Sequence, residues 1–392
     1  MRSFQTLILG LLSVLLLPAC AGAVGNIHIG QLKINPFLSL SETLSDNIYS
    51  TVASTVPSKD AKKDSITTTT PGLRLSLPIG IHKTEMEYYS VLTRYRTYQG
   101  EDTTDQHAYG AVDLNFGSLA SLKLSDRYAK SHEARGTSST GFIEVFQNNT
   151  ALASATYKLG NLSKVQIDYA STIWRFDTSE FRDRAEGLVS GYFYYRFLPM
   201  TSAFIEYDRQ IVAYSQNTPG LDNTADSMHL GLTWEISARS KGTIKGGTIK
   251  KDFKSPDKPD LKNWTYSADV RHELTANTSI QVAGQRTVYE TTLTGNRYVI
   301  TTGVFTELTH RFFRKLFGVV RGSYGQDRFS DAISPSSTIR ADDTTMGGAG
   351  IKYQPKDWLG FALDYSSRSR RSNLPENDYV EHTGVVTANM SF

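Results

Sequence analysis

The chain has one cysteine, Cys20, in 392 residues. A disulfide framework and a cysteine-based metal centre are therefore excluded. Beyond its first two dozen residues it lacks any long apolar run, and no window approaches the roughly 18 apolar residues that a membrane-spanning helix needs. Charge of one sign is not in excess either, with 42 Lys and Arg against 39 Asp and Glu. No block of like charge offers a surface for nucleic acid. Histidine is sparse: His28, His82, His107, His132, His229, His272, His310 and His382 include no close pair at metal-ligand spacing, and none sits in a nucleophile motif. No phosphate-cradling glycine loop occurs. The residues point to no enzyme, no metal and no cofactor.

What is present begins at the N-terminus. Arg2, an apolar stretch from Leu7 to Leu17 and the small residues around Ala21-Gly22-Ala23 read as a secretory signal peptide over residues 1–23. The stretch is too short to span a bilayer. Cys20 has two readings: it leaves with the signal peptide, or Leu17-Pro18-Ala19-Cys20 acts as an imperfect lipobox and is lipidated.

Residues 24–392 carry one organisation throughout, with no linker, charge block or change of composition to divide them. Counted back from Phe392, Met390, Ala388, Val386, Gly384 and Val380 fall on one face, and Ser391, Asn389, Thr387, Thr383 and Glu381 on the other. That is a strand with one oily and one wet face. Such strands recur along the chain, about eighteen in all with 16–20 allowed, and the gaps alternate between tight turns and longer polar segments. Tight turns fall at Pro78 to Ile81, Gly117-Ser118, Gly160-Asn161, Leu198 to Thr201, Thr275 to Thr278 and Pro355 to Trp358. Longer segments include Ser45 to Asp64, His132 to Thr140, Ser215 to Thr224, Lys254 to Lys262, Ser330 to Asp343 and Arg371 to Asp378. Alternation of this kind predicts an all-β fold: one antiparallel transmembrane β-barrel with short periplasmic turns and long extracellular loops, integral to the outer membrane of a Gram-negative bacterium. The 21 Tyr, 18 Phe and 4 Trp suit its pleated strands and interfacial girdles.

Strand parity sorts the charged residues. Trp264, Tyr266, Ala268 and Val270 face out while Asp269, Arg271 and Glu273 face in; Leu359, Phe361, Leu363 and Tyr365 face out while Asp364, Arg368 and Arg370 face in. Extended to the whole chain, this predicts a pore lining of Glu85, Glu87, Asp168, Glu206, Asp208, Glu235, Asp269, Asp364 and Glu381, opposed by Arg196, Arg271, Arg321, Arg368 and Arg370. Both signs are represented, so no strongly ion-selective ring is expected, and pairs on adjacent strands can satisfy one another. Tyr89, Tyr192 and Tyr194 share the inward parity and offer either stacking surfaces for sugar rings or simple filling. Three residues and one segment resist the scheme. Arg209 falls on the apolar parity, which predicts a bulge or a misplaced strand boundary there; Trp174 and Trp358 fall on the inward parity at strand ends, as register breaks or rim residues; and Gly242 to Phe253 has little apolar character.

Certain segments resemble a known family. Ile34-Asn35-Pro36-Phe37-Leu38-Ser39-Leu40 with Ser45-Asp46-Asn47-Ile48-Tyr49, then Pro71-Gly72-Leu73-Arg74-Leu75, Tyr88-Tyr89 and Tyr95, resemble the opening of a β-barrel porin family of outer-membrane proteins associated with exopolysaccharide and capsule export. Phe361 to Arg368 and the run to Phe392 resemble its close. The resemblance implies a conduit for secreted polysaccharide working with a periplasmic export protein, and Phe392 as the signal read by the barrel-assembly machinery. A passive diffusion porin for small solutes, and a non-conducting structural or adhesive barrel, fit the residues as well.

Overall fold

Branched and aromatic side chains alternate with small and polar ones through most of the chain. A two-residue period is satisfied only by extended backbone whose two faces meet different surroundings. The computed structural model describes residues 27–51, 61–133, 143–215, 221–237, 239–256, 259–291, 296–332 and 338–392; the signal-peptide expectation for residues 1–23 lies outside them.

Among these residues β1 (Ile27–Ile29) folds back onto β2 (Leu32–Ser45). There follow β3 (Asp64–Ile79), β4 (His82–Tyr95), β5 (Thr103–Phe116), β6 (Ala120–Glu133), β7 (Glu144–Leu159), β8 (Ser163–Phe176) and β9 (Arg184–Leu198). Next come β10 (Thr201–Tyr214), β11 (Asn223–Ser237), β12 (Ser240–Phe253), β13 (Leu261–Thr275) and β14 (Thr278–Tyr289). The last are β15 (Val299–Phe313), β16 (Leu316–Phe329), β17 (Ala341–Lys356), β18 (Leu359–Ser372) and β19 (Tyr379–Ser391). Each pairs antiparallel with its successor, and β19 returns to pair with β2 from Thr383↔Ser45 to Ser391↔Phe37. β2 to β19 thereby close an 18-stranded barrel. Closure gives each of these eighteen strands a partner on both sides, so none of them offers an edge to another chain.

The two rims differ as the sequence predicts. One carries tight turns, and glycines at Gly80, Gly117 and Gly160 take left-handed φ values of 61°, 64° and 80° there, conformations that cost other residues strain. All five register shifts, such as that between Glu273 and Thr275, lie at this rim, where barrels commonly place bulges. The other rim carries the long connections, which makes it the extracellular one in an outer-membrane barrel. A recurring device closes its loops. The last residue of a strand donates its N–H to an aspartate at the end of the loop: Tyr95 to Asp102, Phe176 to Asp183, Tyr214 to Asp222, Phe253 to Asp260 and Ser372 to Asp378, at 2.5–3.3 Å. Carboxylates from neighbouring strands cap the loop turns as well; Glu144, fully buried, accepts from the Thr178 and Ser179 N–H groups at 3.0 and 3.2 Å.

On a closed sheet, side chains diverge on the convex face and converge on the concave one. The predicted outward set is accordingly wide open, with Leu230 62% and Leu363 57% exposed. Phe116, Tyr157, Tyr195, Phe197, Phe312 and Tyr353 form an aromatic girdle near the short-turn rim, and Trp264 and Trp234 sit toward opposite rims.

The positions that resisted the parity scheme are resolved. No register shift occurs at Arg209, so the expected bulge is absent. Arg209 does face outward, and its cross-strand partner Asp226, 3.4 Å away, neutralises it near the extracellular rim. Trp174 faces inward at that rim, stacked on Phe176 at 6.2 Å with the Arg184 guanidinium 5.0 Å over its ring. Trp358 lies in a tight turn and stacks on Phe392 at 5.9 Å. Phe392 also donates its N–H to the Pro36 carbonyl at 2.9 Å, tying the end of β19 to the seam. Gly242 to Phe253 is a full strand, held in register by β11 and β13 on either side.

Candidate functional site: the barrel interior

Eighteen strands about 4.8 Å apart and tilted by roughly 40° enclose a backbone cylinder roughly 36 Å across. Its wall is the wet face of every strand, and the cross-strand registers place each predicted pore-lining residue on that face. What the sequence does not reveal is how completely their charges are answered. Glu85 pairs with Lys83, and Glu87 accepts from Arg74 at 2.7 Å. Glu206 accepts from Lys245 at 2.5 Å, and Arg321 bridges Asp364 at 2.8 Å and Glu307 at 3.9 Å. Gly350 makes the last arrangement possible, because a Cβ there would fall 2.2 Å from Asp364 Oδ1. Asp168 accepts from Ser154 at 2.5 Å and from Gln166; Asp269 accepts from Gln281 at 3.2 Å; Glu381 accepts from Ser45 at 2.9 Å. Arg196 donates to the Asn161 carbonyl at the short-turn rim, and Arg370 donates to the Asn377 carbonyl at the opposite rim. Glu235, Arg271 and Arg368 make no ion pair among the described residues.

The densest part of the wall is on β8 to β13. Tyr192 and Tyr194 stack at 5.9 Å, Phe204 lies 5.3 Å from Tyr194, and Lys164 sits 4.2 Å over the Tyr194 ring. Phe204 can lie against the wall because Gly231 has no side chain; a Cβ would meet the ring at 2.3 Å. Beside this platform Glu206 is only 2% exposed. His229 lies 3.5 Å from Asp208 and bonds Thr265 at 2.8 Å through Nε2. Glu206, Asp208 and His229 bring three donor atoms within 4.8 Å of one another. Lys245 already supplies the positive charge that a metal ion would bring, so the set is read as an ion-pair network.

The wall is crossed near its extracellular mouth. Glu290, just past β14, reaches back to Tyr214 on β10 at 2.9 Å, Asn223 on β11 at 3.3 Å and Lys251 on β12. The first residue past β14 is therefore tied to the inner face of three other strands. The far end of the connection leaving β14 is pinned too: Arg297 is buried, donates to both oxygens of Asp331 and to the Pro259 carbonyl, and lies over the rings of Phe253 and Tyr298. Burial pushes the Asp331 carboxyl up, but the hydrogen bonds from Arg297 and Ser330 outweigh it and hold the group below the usual carboxylate range. This contribution is fully present above the ordinary carboxylate pKa and is lost as pH falls through the lowered one. Protection of the Arg297 and Tyr298 amides, measured as the exchange rate relative to an unstructured peptide at the same pH, is expected to stay flat from neutral pH to about pH 5 and to fall below about pH 4. Asp331→Asn should show the lowered protection at neutral pH already.

No helix among the described residues is long and apolar enough to cross a membrane. A closed even-stranded barrel with an apolar convex face, aromatic girdles and a charged interior is an outer-membrane channel protein of the porin size class. The family model described as "Putative beta-barrel porin 2" matches residues 19–392, and the chain belongs to that family. It is an integral outer-membrane porin and not an enzyme. Among solved structures, a BenF-like porin from Pseudomonas fluorescens is similar in fold, with a TM-score of 0.50 at 10% identity over 93% of this chain and 100% of that one. The outer membrane protein opdK from Pseudomonas aeruginosa has a TM-score of 0.49 at 10% identity over 92% and 99% of the two chains. OccAB4 from Acinetobacter baumannii has 0.49 at 11% identity over 92% and 98%. No curated protein matches the chain significantly.

Proposed function

We propose that the protein is a passive diffusion channel for small hydrophilic solutes, its aqueous path lined by the inward residues above and narrowed by the connection that Glu290 pins. The observation that carries this reading is the mixed charge of the interior: with Glu85, Glu87, Glu206 and Asp364 each answered by a cation, and Glu235 on the same wall as Arg271 and Arg368, the lining carries both signs rather than a field of one sign. Such a lining passes polar solutes with little charge preference. Glu290→Gln loosens the pin by weakening its contacts to Lys251, Tyr214 and Asn223. In planar bilayers it is expected to give a larger and noisier single-channel conductance than the unsubstituted protein. An unchanged conductance would show that this connection does not narrow the path.

A second reading, a conduit for secreted polysaccharide working with a periplasmic export partner, draws on one feature. The stacked Tyr192–Tyr194 platform beside the half-buried Asp208 combines ring faces with a carboxylate, a combination that suits pyranose rings. A clean deletion with a complemented control separates the two. Reduced uptake of a small hydrophilic antibiotic with normal surface polysaccharide supports the diffusion channel; loss of surface polysaccharide with unchanged uptake supports the conduit. In either case the terminal strand ending in Phe392 would serve as the signal for the barrel-assembly machinery.

A further inference from the structure

The convex face of the barrel is not uniformly apolar. On β10 to β14 a cluster of charged side chains points outward just below the extracellular rim. Arg209 on β10, Asp226 on β11, Lys250 on β12 and Lys262 on β13 are successive cross-strand partners, so all four share the lipid-facing side. Arg286 on β14 extends the row, lying 4.6 Å over the outward ring of Trp264. Asp226 partners Arg209, Asp252 partners Lys250 at 2.6 Å, and the cations outnumber these two carboxylates. The cationic side chains stay accessible, Arg209 at 55% and Lys250 at 48%. Toward the short-turn rim these five strands place no Lys, Arg, Asp or Glu on the outer face.

Directly beneath the cluster the same wall is hollowed. An apolar groove of about 580 Å³ runs between Phe193 and Tyr195 on one side and Leu230 and Ile244 on the other, with Ile205 and Gly246 along it. Ile205 lies four residues below Arg209, and Gly246 four below Lys250, about 13 Å along the strand in each case. Gly246 leaves the groove open: an added Cβ would have only the Thr265 carbonyl, at 4.0 Å, within reach.

Lysines and arginines at this level cost little, because the penalty for charge on a lipid-facing barrel surface falls steeply from mid-membrane toward the interface. Their clustering over an apolar groove is what an amphiphile with an anionic headgroup would fit. We propose that the outer face of β10 to β14 is a specific binding site for one lipid of the surface leaflet bearing a phosphorylated headgroup. The phosphates engage Arg209, Lys250, Lys262 and Arg286, and an acyl chain lies in the groove below. Bidentate donation from arginine and the compact charge of lysine both suit phosphate oxygens.

Native mass spectrometry of the detergent-purified, delipidated protein tests this, with three probes added back: a bis-phosphorylated, acylated diglucosamine lipid, phosphatidylcholine, and inorganic pyrophosphate. One bis-phosphorylated lipid per barrel is expected to survive release from detergent, with neither other probe retained. R209Q/K250Q/K262Q should weaken retention by about fivefold for each cation removed, and G246L should weaken it with the charges intact. Heat-dependent electrophoretic mobility reports whether each variant has folded. Should the triple variant fail to fold, K262Q alone suffices, because Lys262 is exposed and forms no ion pair among the described residues. Equal retention of phosphatidylcholine, retention unaffected in K262Q, pyrophosphate binding without a G246L effect, or a protein dimer occupying the face in place of lipid would each overturn the proposal.

Discussion

Leu363→Arg is expected to block assembly into the outer membrane, while Ala362→Arg, one residue away, is tolerated. Leu363 points to lipid between Ile351 and Val386 on its neighbours, and Ala362 points inward between Lys352 and Thr387. An arginine toward lipid near mid-membrane costs about 2–4 kcal/mol, a factor of roughly 30 to 1,000 in the folded population. On the wet face the same side chain stays hydrated among other charges. Ala388→Arg and Thr387→Arg repeat the contrast on β19. The measurement is the heat-modifiable, outer-membrane fraction of each variant. Equal behaviour within either pair would contradict the assignment of one face to lipid and the other to water.

The second large effect is expected at Lys245→Met. It leaves the Glu206 carboxylate buried beside Asp208 with its counter-charge gone, the situation in which breaking a buried pair costs about 3–5 kcal/mol. Urea unfolding in lipid vesicles should show a loss of that order. The double variant Lys245→Met/Glu206→Gln should recover most of it, since removing both partners leaves no orphaned charge. If Lys245→Met unfolded with the unsubstituted protein, Glu206 would be answered by water rather than by the ammonium.

The contrast between these two expected effects is one between local and long-range information. Parity is a local property. Leu359, Phe361 and Leu363 alternate with Gly360, Ala362 and Asp364 within one strand, so the faces, the strand count and the rim assignment are legible in the residues themselves. Who answers whom is not local. Lys245 and Lys251 lie on the strand with the weakest alternation, Gly242 to Phe253, and their partners Glu206 and Glu290 lie 39 residues away in each direction. Only register brings them together, and register depends on turn lengths and bulges that carry errors of a residue or two. Arg74 and Lys83 went unassigned to the wall for a related reason: the sequence marks the carboxylates Glu85 and Glu87 in one short run but says nothing of how their cations reach them. The inward reach of Glu290 has no sequence signal at all. The aspartates that close the extracellular loops do have one. An aromatic residue at a strand end followed seven residues later by Asp, as in Tyr95 and Asp102, Phe176 and Asp183, or Phe253 and Asp260, marks the loop boundaries that hydropathy leaves vague. Arg209 shows the opposite hazard. A single charge on the apolar parity suggests a bulge, yet a cross-strand Asp226 and proximity to the rim suffice to keep it there.

A conducting barrel has its aqueous path along the wet face of the strands. The absence of cysteine from residues 24–392 allows a direct test. In a Cys20→Ser background, Asp269→Cys and Ala268→Cys place single thiols on adjacent residues of β13 with opposite parity. Single-channel current in a planar bilayer is recorded before and after a charged, membrane-impermeant thiol reagent. The account predicts a stepwise fall in current for Asp269→Cys and no change for Ala268→Cys; a barrel that carries no current, or equal responses at the two positions, would contradict it.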